Sequence, residues 1–188
     1  MCGVTTFNGL RRTNAVAGDL VAVLGIGGLG HLGVQWARAM GFVTVAIARG
    51  ADKADDARAL GAHHYIDSTA SDVAGALQAL GGATVVLATA ANSAAIGAAV
   101  GGLGPEGELV VVGVTADPMP ISPVDLILAG RRVTGHPSGT ARDVEETMHF
   151  AALSGVRAKI EERPLAEAAE AYSAMLEGRA RYRMVLIM

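Results

Sequence analysis

Apolar and polar positions fall along this chain in blocks of two different periods. Leu20-Val21-Ala22-Val23-Leu24 is a short, wholly apolar run bounded by Gly18-Asp19 and Gly25, the pattern of a strand buried on both faces. A helical period follows. Leu29, Leu32, Trp36, Ala37 and Met40 share one face, His31, Gln35 and Arg38 another, and Gly41 stands where a helix should stop. The same reading predicts strands over 43–48, 63–66, 84–88 and 109–114, and helices over 52–60, 71–80 and 93–100. The stretch 117–123 holds three prolines and reads as a connector. Beyond it come a short helix at 124–128, a strand at 131–135, amphipathic helices at 141–153 and 165–176, and an apolar strand at 182–187. Strands and helices alternating at this spacing need crossover connections, hence a parallel sheet. The expected fold class is α/β, a doubly wound parallel sheet flanked by helices, with 1–188 as a single domain.

Composition narrows the chemistry. Alanine (36) and glycine (25) dominate the 188 residues while aromatics make up only 4%, so the core must be small and aliphatic, as suits helices laid tightly on a sheet. Hydrophobic content of 51% against a net charge of -3 excludes a disordered chain. Fifteen basic residues facing eighteen acidic ones argue against a nucleic-acid partner. No apolar run approaches the roughly 18 residues of a membrane span. The opening Met1-Cys2-Gly3-Val4-Thr5-Thr6-Phe7 has no basic stretch ahead of an apolar one, so it does not read as a signal peptide and the expected compartment is the cytoplasm. A single cysteine excludes a disulfide scaffold and a self-contained cysteine zinc site.

Gly25-Ile26-Gly27-Gly28-Leu29-Gly30 matches G-x-G-x-x-G between an apolar strand and an amphipathic helix, the context in which that pattern signals a dinucleotide. Gly25 allows the tight turn, Gly27 lets backbone approach a pyrophosphate, and Gly30 lets the helix pack close to the strand. The expected fold is therefore of Rossmann type. The second strand ends in Arg49-Gly50 with no acidic residue to take the ribose hydroxyls, and Lys53 follows. Two cations there suit a 2′-phosphate, so NADP is expected over NAD. The competing reading leaves Arg49 solvated and makes Asp52 a helix-start residue.

Residues 24–35 resemble the cofactor turn of zinc-type medium-chain alcohol dehydrogenases, particularly the cinnamyl-alcohol-dehydrogenase-like branch. Cys2-Gly3-Val4-Thr5-Thr6 is similar to that family's Cys-Ala-Gly-Val-Thr segment, one residue shorter. Leu60-Gly61-Ala62, Tyr65-Ile66-Asp67, Leu109-Val110-Val111-Val112-Gly113 and the ending Gly178 to Leu186 extend the likeness over the whole chain. The resemblance implies that Cys2 matches a catalytic zinc ligand, that Thr5 or Thr6 contacts the nicotinamide, and that backbone at Ala88, Thr89, Gly113 and Val114 faces it. It implies Arg183 on the pyrophosphate. His31, a hallmark of the branch, reads as packing or hydrogen bonding near the turn.

The family's GroES-like catalytic domain, with the other zinc ligands and the substrate pocket, has no match in these residues, so zinc is not expected here. The resemblance makes 136–188 the segment that packs on that missing partner, and it makes a homodimer the expected assembly. Leu176, Met184, Leu186 and Met188 should then fold back on the core or form an interface. The functional expectation is the cofactor-binding part of an oxidoreductase acting on alcohols or aldehydes, inactive alone. The alternative is a free-standing dinucleotide-binding module that senses cofactor. A short-chain dehydrogenase is excluded, because no tyrosine has a lysine four residues on; a methyltransferase would not explain the likeness at both ends.

Overall fold

A computed structural model describes all 188 residues. Helix α1 (Cys2–Arg11) precedes an alternating series: β1 (Leu20–Leu24), α2 (Gly30–Ala39), β2 (Val43–Ala48), α3 (Ala54–Ala59), β3 (His64–Asp67), α4 (Val73–Ala79), β4 (Ala83–Ala88), α5 (Ser93–Ala99), β5 (Leu103–Val111), α6 (Pro123–Ile127) and β6 (Arg132–Gly135). Then come α7 (Ala141–Ser154), β7 (Ile160–Pro164), α8 (Ala168–Leu176) and β8 (Arg183–Ile187). The six strands β1 to β6 form one parallel sheet in the order β3-β2-β1-β4-β5-β6, and β7 and β8 form a separate parallel pair. This is the doubly wound Rossmann arrangement.

Side chains alternate across each central strand as a pleat requires. Val21 and Val23 of β1 enter one core with Val85 and Leu87 of β4; Ala22 and Leu24 enter the other with Val86 and Ala88. The first core is capped by α1, α2 and α7, where Phe7 meets Trp36 edge-on at 5.4 Å and Phe150 at 5.1 Å. The second lies under α4 and α5, around Leu77, Ile96 and Leu103. Helix α7 is started by a capping box between Thr140 and Asp143. Arg11 reaches from α1 to Asp143 at 2.6 Å and to Glu146 at 2.5 Å, and Arg12 reaches Asp143 at 3.1 Å.

Several expectations need correction. The fifth strand begins at Leu103 and stops at Val111, so 112–114 lie beyond it. The expected helix 52–60 is a 3-10 turn, Ala51–Lys53, followed by α3. Helix α1 and strand β7 were not anticipated; β7 reads Ile-Glu-Glu-Arg-Pro, with four of its five residues exposed, so its sequence lacks the apolar alternation of a strand. The C-terminal apolar residues do not fold back on the large core. Leu176 and Met188 are exposed, as is Leu186, and Met184 is only half-buried. No helix is long and apolar enough to cross a membrane.

Candidate functional site

The carboxyl ends of the parallel strands meet at one rim of the sheet, and the order reverses between β1 and β4, the place where open sheets of this kind make a crevice. The 25–30 turn stands at that point. Gly25 has φ +94, and a Cβ on it would lie 3.0 Å from the Ala90 Cβ, so a side chain is excluded twice. A Cβ on Gly30 would lie 1.7 Å from the Gly25 carbonyl oxygen. Its close approach is thus to the turn itself. The contact with the sheet, which the motif assigns to Gly30, is made at Gly33, where a Cβ would stand 3.1 Å from Leu87 Cδ2 and 3.3 Å from Val23 Cγ1. Nothing comes within 4 Å of a Cβ placed on Gly27.

That open side faces unsatisfied donors. The backbone amides from Ile26 to Gly30 donate to no group in the protein, and α2 has no side-chain cap. Five unpaired N–H groups at the positive end of a helix form a cradle for an anion. Thr89, at the end of β4, secures the turn: its hydroxyl donates toward the Gly25 carbonyl at 2.7 Å, with the Leu24 carbonyl at 3.1 Å. The Thr89 and Ala90 amides donate to Leu24, and the Val112 and Gly113 amides to Ala88. The Thr89 and Gly113 amides and the Ala88 carbonyl are therefore occupied in joining β1, β4 and β5, while Val114 is exposed.

A second group lies at the end of β2. Arg49 is exposed and Lys53 half-exposed, and neither is tied in an ion pair. Asp52 pairs instead with Arg181 at 3.4 Å, and Asp56 pairs with the same guanidinium at 3.5 Å. Gly50 has φ +80; its amide donates to Asp67 Oδ1 at 2.8 Å and its carbonyl accepts from the Tyr65 hydroxyl. Asp67 also accepts from the Thr69 hydroxyl at 2.7 Å and the Thr69 amide at 2.9 Å. These bonds, those from Thr69 foremost, hold its carboxyl below the usual carboxylate range. Sequence reasoning gave Asp67 and Tyr65 no part in shaping this loop; an acidic residue ending the strand beside β2 was the available signal.

The third group joins the two ends of the chain. The Arg183 guanidinium stands 2.6 Å from Cys2 Sγ and 4.0 Å from where a Gly28 Cβ would be. Thr6 is buried and its hydroxyl donates to the Cys2 carbonyl at 2.9 Å. Thr5 is half-exposed, 3.1 Å from the Ser138 hydroxyl, so of the pair it alone keeps an accessible oxygen. His31 is fully buried; its Nε2 accepts from the Lys159 amide at 3.2 Å, which makes Nδ1 the donor to the Gly27 carbonyl at 2.9 Å. Burial pushes its pKa down. Tyr182 lies flat on the imidazole, centroids 4.8 Å apart, and burial pushes its phenol up to about 12. Of the other histidines, His63 accepts the Thr44 amide at 2.9 Å and His64 is exposed.

The family described as zinc-binding dehydrogenase matches residues 28–152. This chain belongs to that family. As a zinc-binding dehydrogenase it is 42% identical to the alcohol dehydrogenase notN of Aspergillus sp. (strain MF297-2) over 186 residues, 99% of this chain and 55% of the relative. The chain thus spans about half the length of the curated relatives it matches. Among solved structures it superposes on a cinnamyl alcohol dehydrogenase from Sorghum bicolor with a TM-score of 0.90 at 28% identity, over 98% of this chain and 52% of that one. The cinnamyl alcohol dehydrogenase of Helicobacter pylori, solved with NADP(H), gives 0.83 at 25% identity, again over 98% and 52%. The zinc of the family name finds no fit among the donors of these 188 residues: no three His, Cys, Asp or Glu side chains stand together, and Cys2 faces a guanidinium.

Proposed function

We propose that this chain is the nicotinamide-dinucleotide-binding part of an oxidoreductase acting on alcohols or aldehydes, with NADP preferred over NAD. The observation that supports it best is the row of five unpaired amides, Ile26 to Gly30, beside an open Gly27 and the Arg183 guanidinium. A diphosphate would lie across those amides and meet Arg183. Arg49 and Lys53, both free of ion pairs, would take the 2′-phosphate, with Gly50 letting backbone pass close to the ribose. Thr5 and the backbone around Val114 would border the nicotinamide, which supplies or accepts the hydride. No set of donors in these residues fits zinc, so no step of alcohol activation is assigned to them. The chain alone binds cofactor without turning over alcohols, and residues 136–188 form the face that meets a catalytic domain.

Calorimetry with NADP and NAD tests this reading. NADP should bind the tighter of the two, and Arg49→Ala should weaken NADP by about tenfold while leaving NAD nearly unchanged, the loss expected for one charge-assisted contact. Tighter binding of NAD overturns the preference, and no heat with either coenzyme overturns the whole reading. Zinc-dependent oxidation of an alcohol by this chain alone would overturn its assignment as a cofactor-binding part.

A further inference from the structure

We propose that His31 is a positioning residue that holds the Arg183 guanidinium over the glycine turn, so that the diphosphate cradle is completed from the C-terminal strand pair. The inference rests on the dinucleotide reading above and adds a residue to it. His31 belongs to α2, yet each side of its ring touches something different. Nδ1 donates to the carbonyl of Gly27, inside the turn, at 2.9 Å. Nε2 accepts from the amide of Lys159, immediately ahead of β7, at 3.2 Å. One ring face stacks on Tyr182 with the planes 3° apart. Tyr182 immediately precedes Arg183, and its own amide donates back to the Lys159 carbonyl at 3.4 Å.

The imidazole therefore closes a circuit from the turn through Lys159 and Tyr182 to Arg183. A long exposed arginine ordinarily samples many rotamers, and placing it beforehand removes part of the entropy cost of gripping a phosphate. The charged groups facing the ring are Arg183 and Lys159, both cations, with the Tyr182 phenol against its face. Burial and the two cations outweigh the backbone hydrogen bonds at Gly27 and Gly28 that favour an imidazolium, so the ring stays neutral and Nε2, facing the Lys159 amide, stays an acceptor.

The two nitrogens can be removed separately. Asparagine places a donor near the Nδ1 position but reaches no acceptor to Lys159; glutamine extends an acceptor toward the Nε2 position. Binding of NADPH to the whole chain is titrated by fluorescence, with melting temperatures recorded in parallel. His31→Asn should weaken NADPH by about tenfold, the size of one lost charged contact, while His31→Gln restores most of the affinity. Arg183→Gln should cost as much, and adding His31→Asn to it should cost little more, because both act through one guanidinium. Additive losses in the double variant, or equal losses in Asn and Gln that follow the melting temperature, would overturn the proposal and leave the dinucleotide reading intact. A wild-type chain that binds neither NADPH nor NADH would remove both.

Discussion

Gly27 and Gly30 belong to one motif but answer to different forces. Gly30 is required by contact, because a Cβ there would collide with the Gly25 carbonyl. Gly27 has open space before it, so its lack of a side chain serves whatever enters that space. Gly27→Asp should fold normally, with a melting temperature within about 2 °C of wild type, yet lose dinucleotide binding because a carboxylate would stand where the diphosphate lies. His31 makes a second prediction at this scale. Its folded pKa is lowered from the ordinary 6.5, so the unfolded chain takes up a proton more readily than the folded one. The stability it contributes is complete above that ordinary value and declines as pH falls below it toward the lowered one. Urea midpoints followed from about pH 7.5 to 5.5 should fall less steeply in His31→Gln than in wild type. The turn was legible in the sequence because glycine spacing records backbone geometry directly. The anchoring by Thr89 was not, since its hydrogen bond to Gly25 joins strands distant along the chain, and Asp67 was signalled only by an acidic side chain at a strand end.

Elements with a clean period were the easiest to read. The bounds 20–24 and 43–48 coincide with β1 and β2, whose apolar runs are buried on both faces. Helix α1 escaped because its sequence, Cys-Gly-Val-Thr-Thr-Phe-Asn-Gly-Leu-Arg, holds two glycines and two threonines, a poor helix former in isolation. Tertiary contact overrides that propensity. Phe7 packs against Trp36 and Phe150, and Arg11 and Arg12 hold Asp143 on α7. Phe7→Ala should cost about 3–5 kcal/mol by chemical denaturation, as for other buried aromatic truncations. The Asp143 carboxyl is held far below its usual range, first by the Thr140 backbone and hydroxyl and then by Arg12 and Arg11. Its contribution is present above the ordinary carboxylate range and is lost as pH falls through and below it. Wild type should therefore be more acid-labile than Asp143→Asn relative to their own midpoints at neutral pH, and equal acid sensitivity would show that the α1–α7 clasp adds nothing.

At the scale of the molecule, the large sheet ends on β6, which pairs with β5 on one side only, and Val124, Ile127 and Leu128 of the neighbouring helix region are exposed. An unpaired edge beside apolar side chains is a surface that another copy can cover, and a homodimer is the assembly proposed for this chain. Sedimentation equilibrium at micromolar concentration should give twice the mass of the 19.0 kDa chain; one species of single-chain mass refutes it. The fold class was readable from alternation alone, whereas the split into two sheets was not, because β7 carries a polar sequence. That split has a thermodynamic consequence. The small sheet, with α8 across it, meets the large one through the imidazole of His31, the Tyr182 ring at the margin of the first core, the Arg183–Cys2 contact and the Arg181 ion pairs, with little apolar surface shared between them. Two units joined so lightly can open one at a time. A coenzyme gripped from both sides would act as mortar between them, merging two separate melting steps into one.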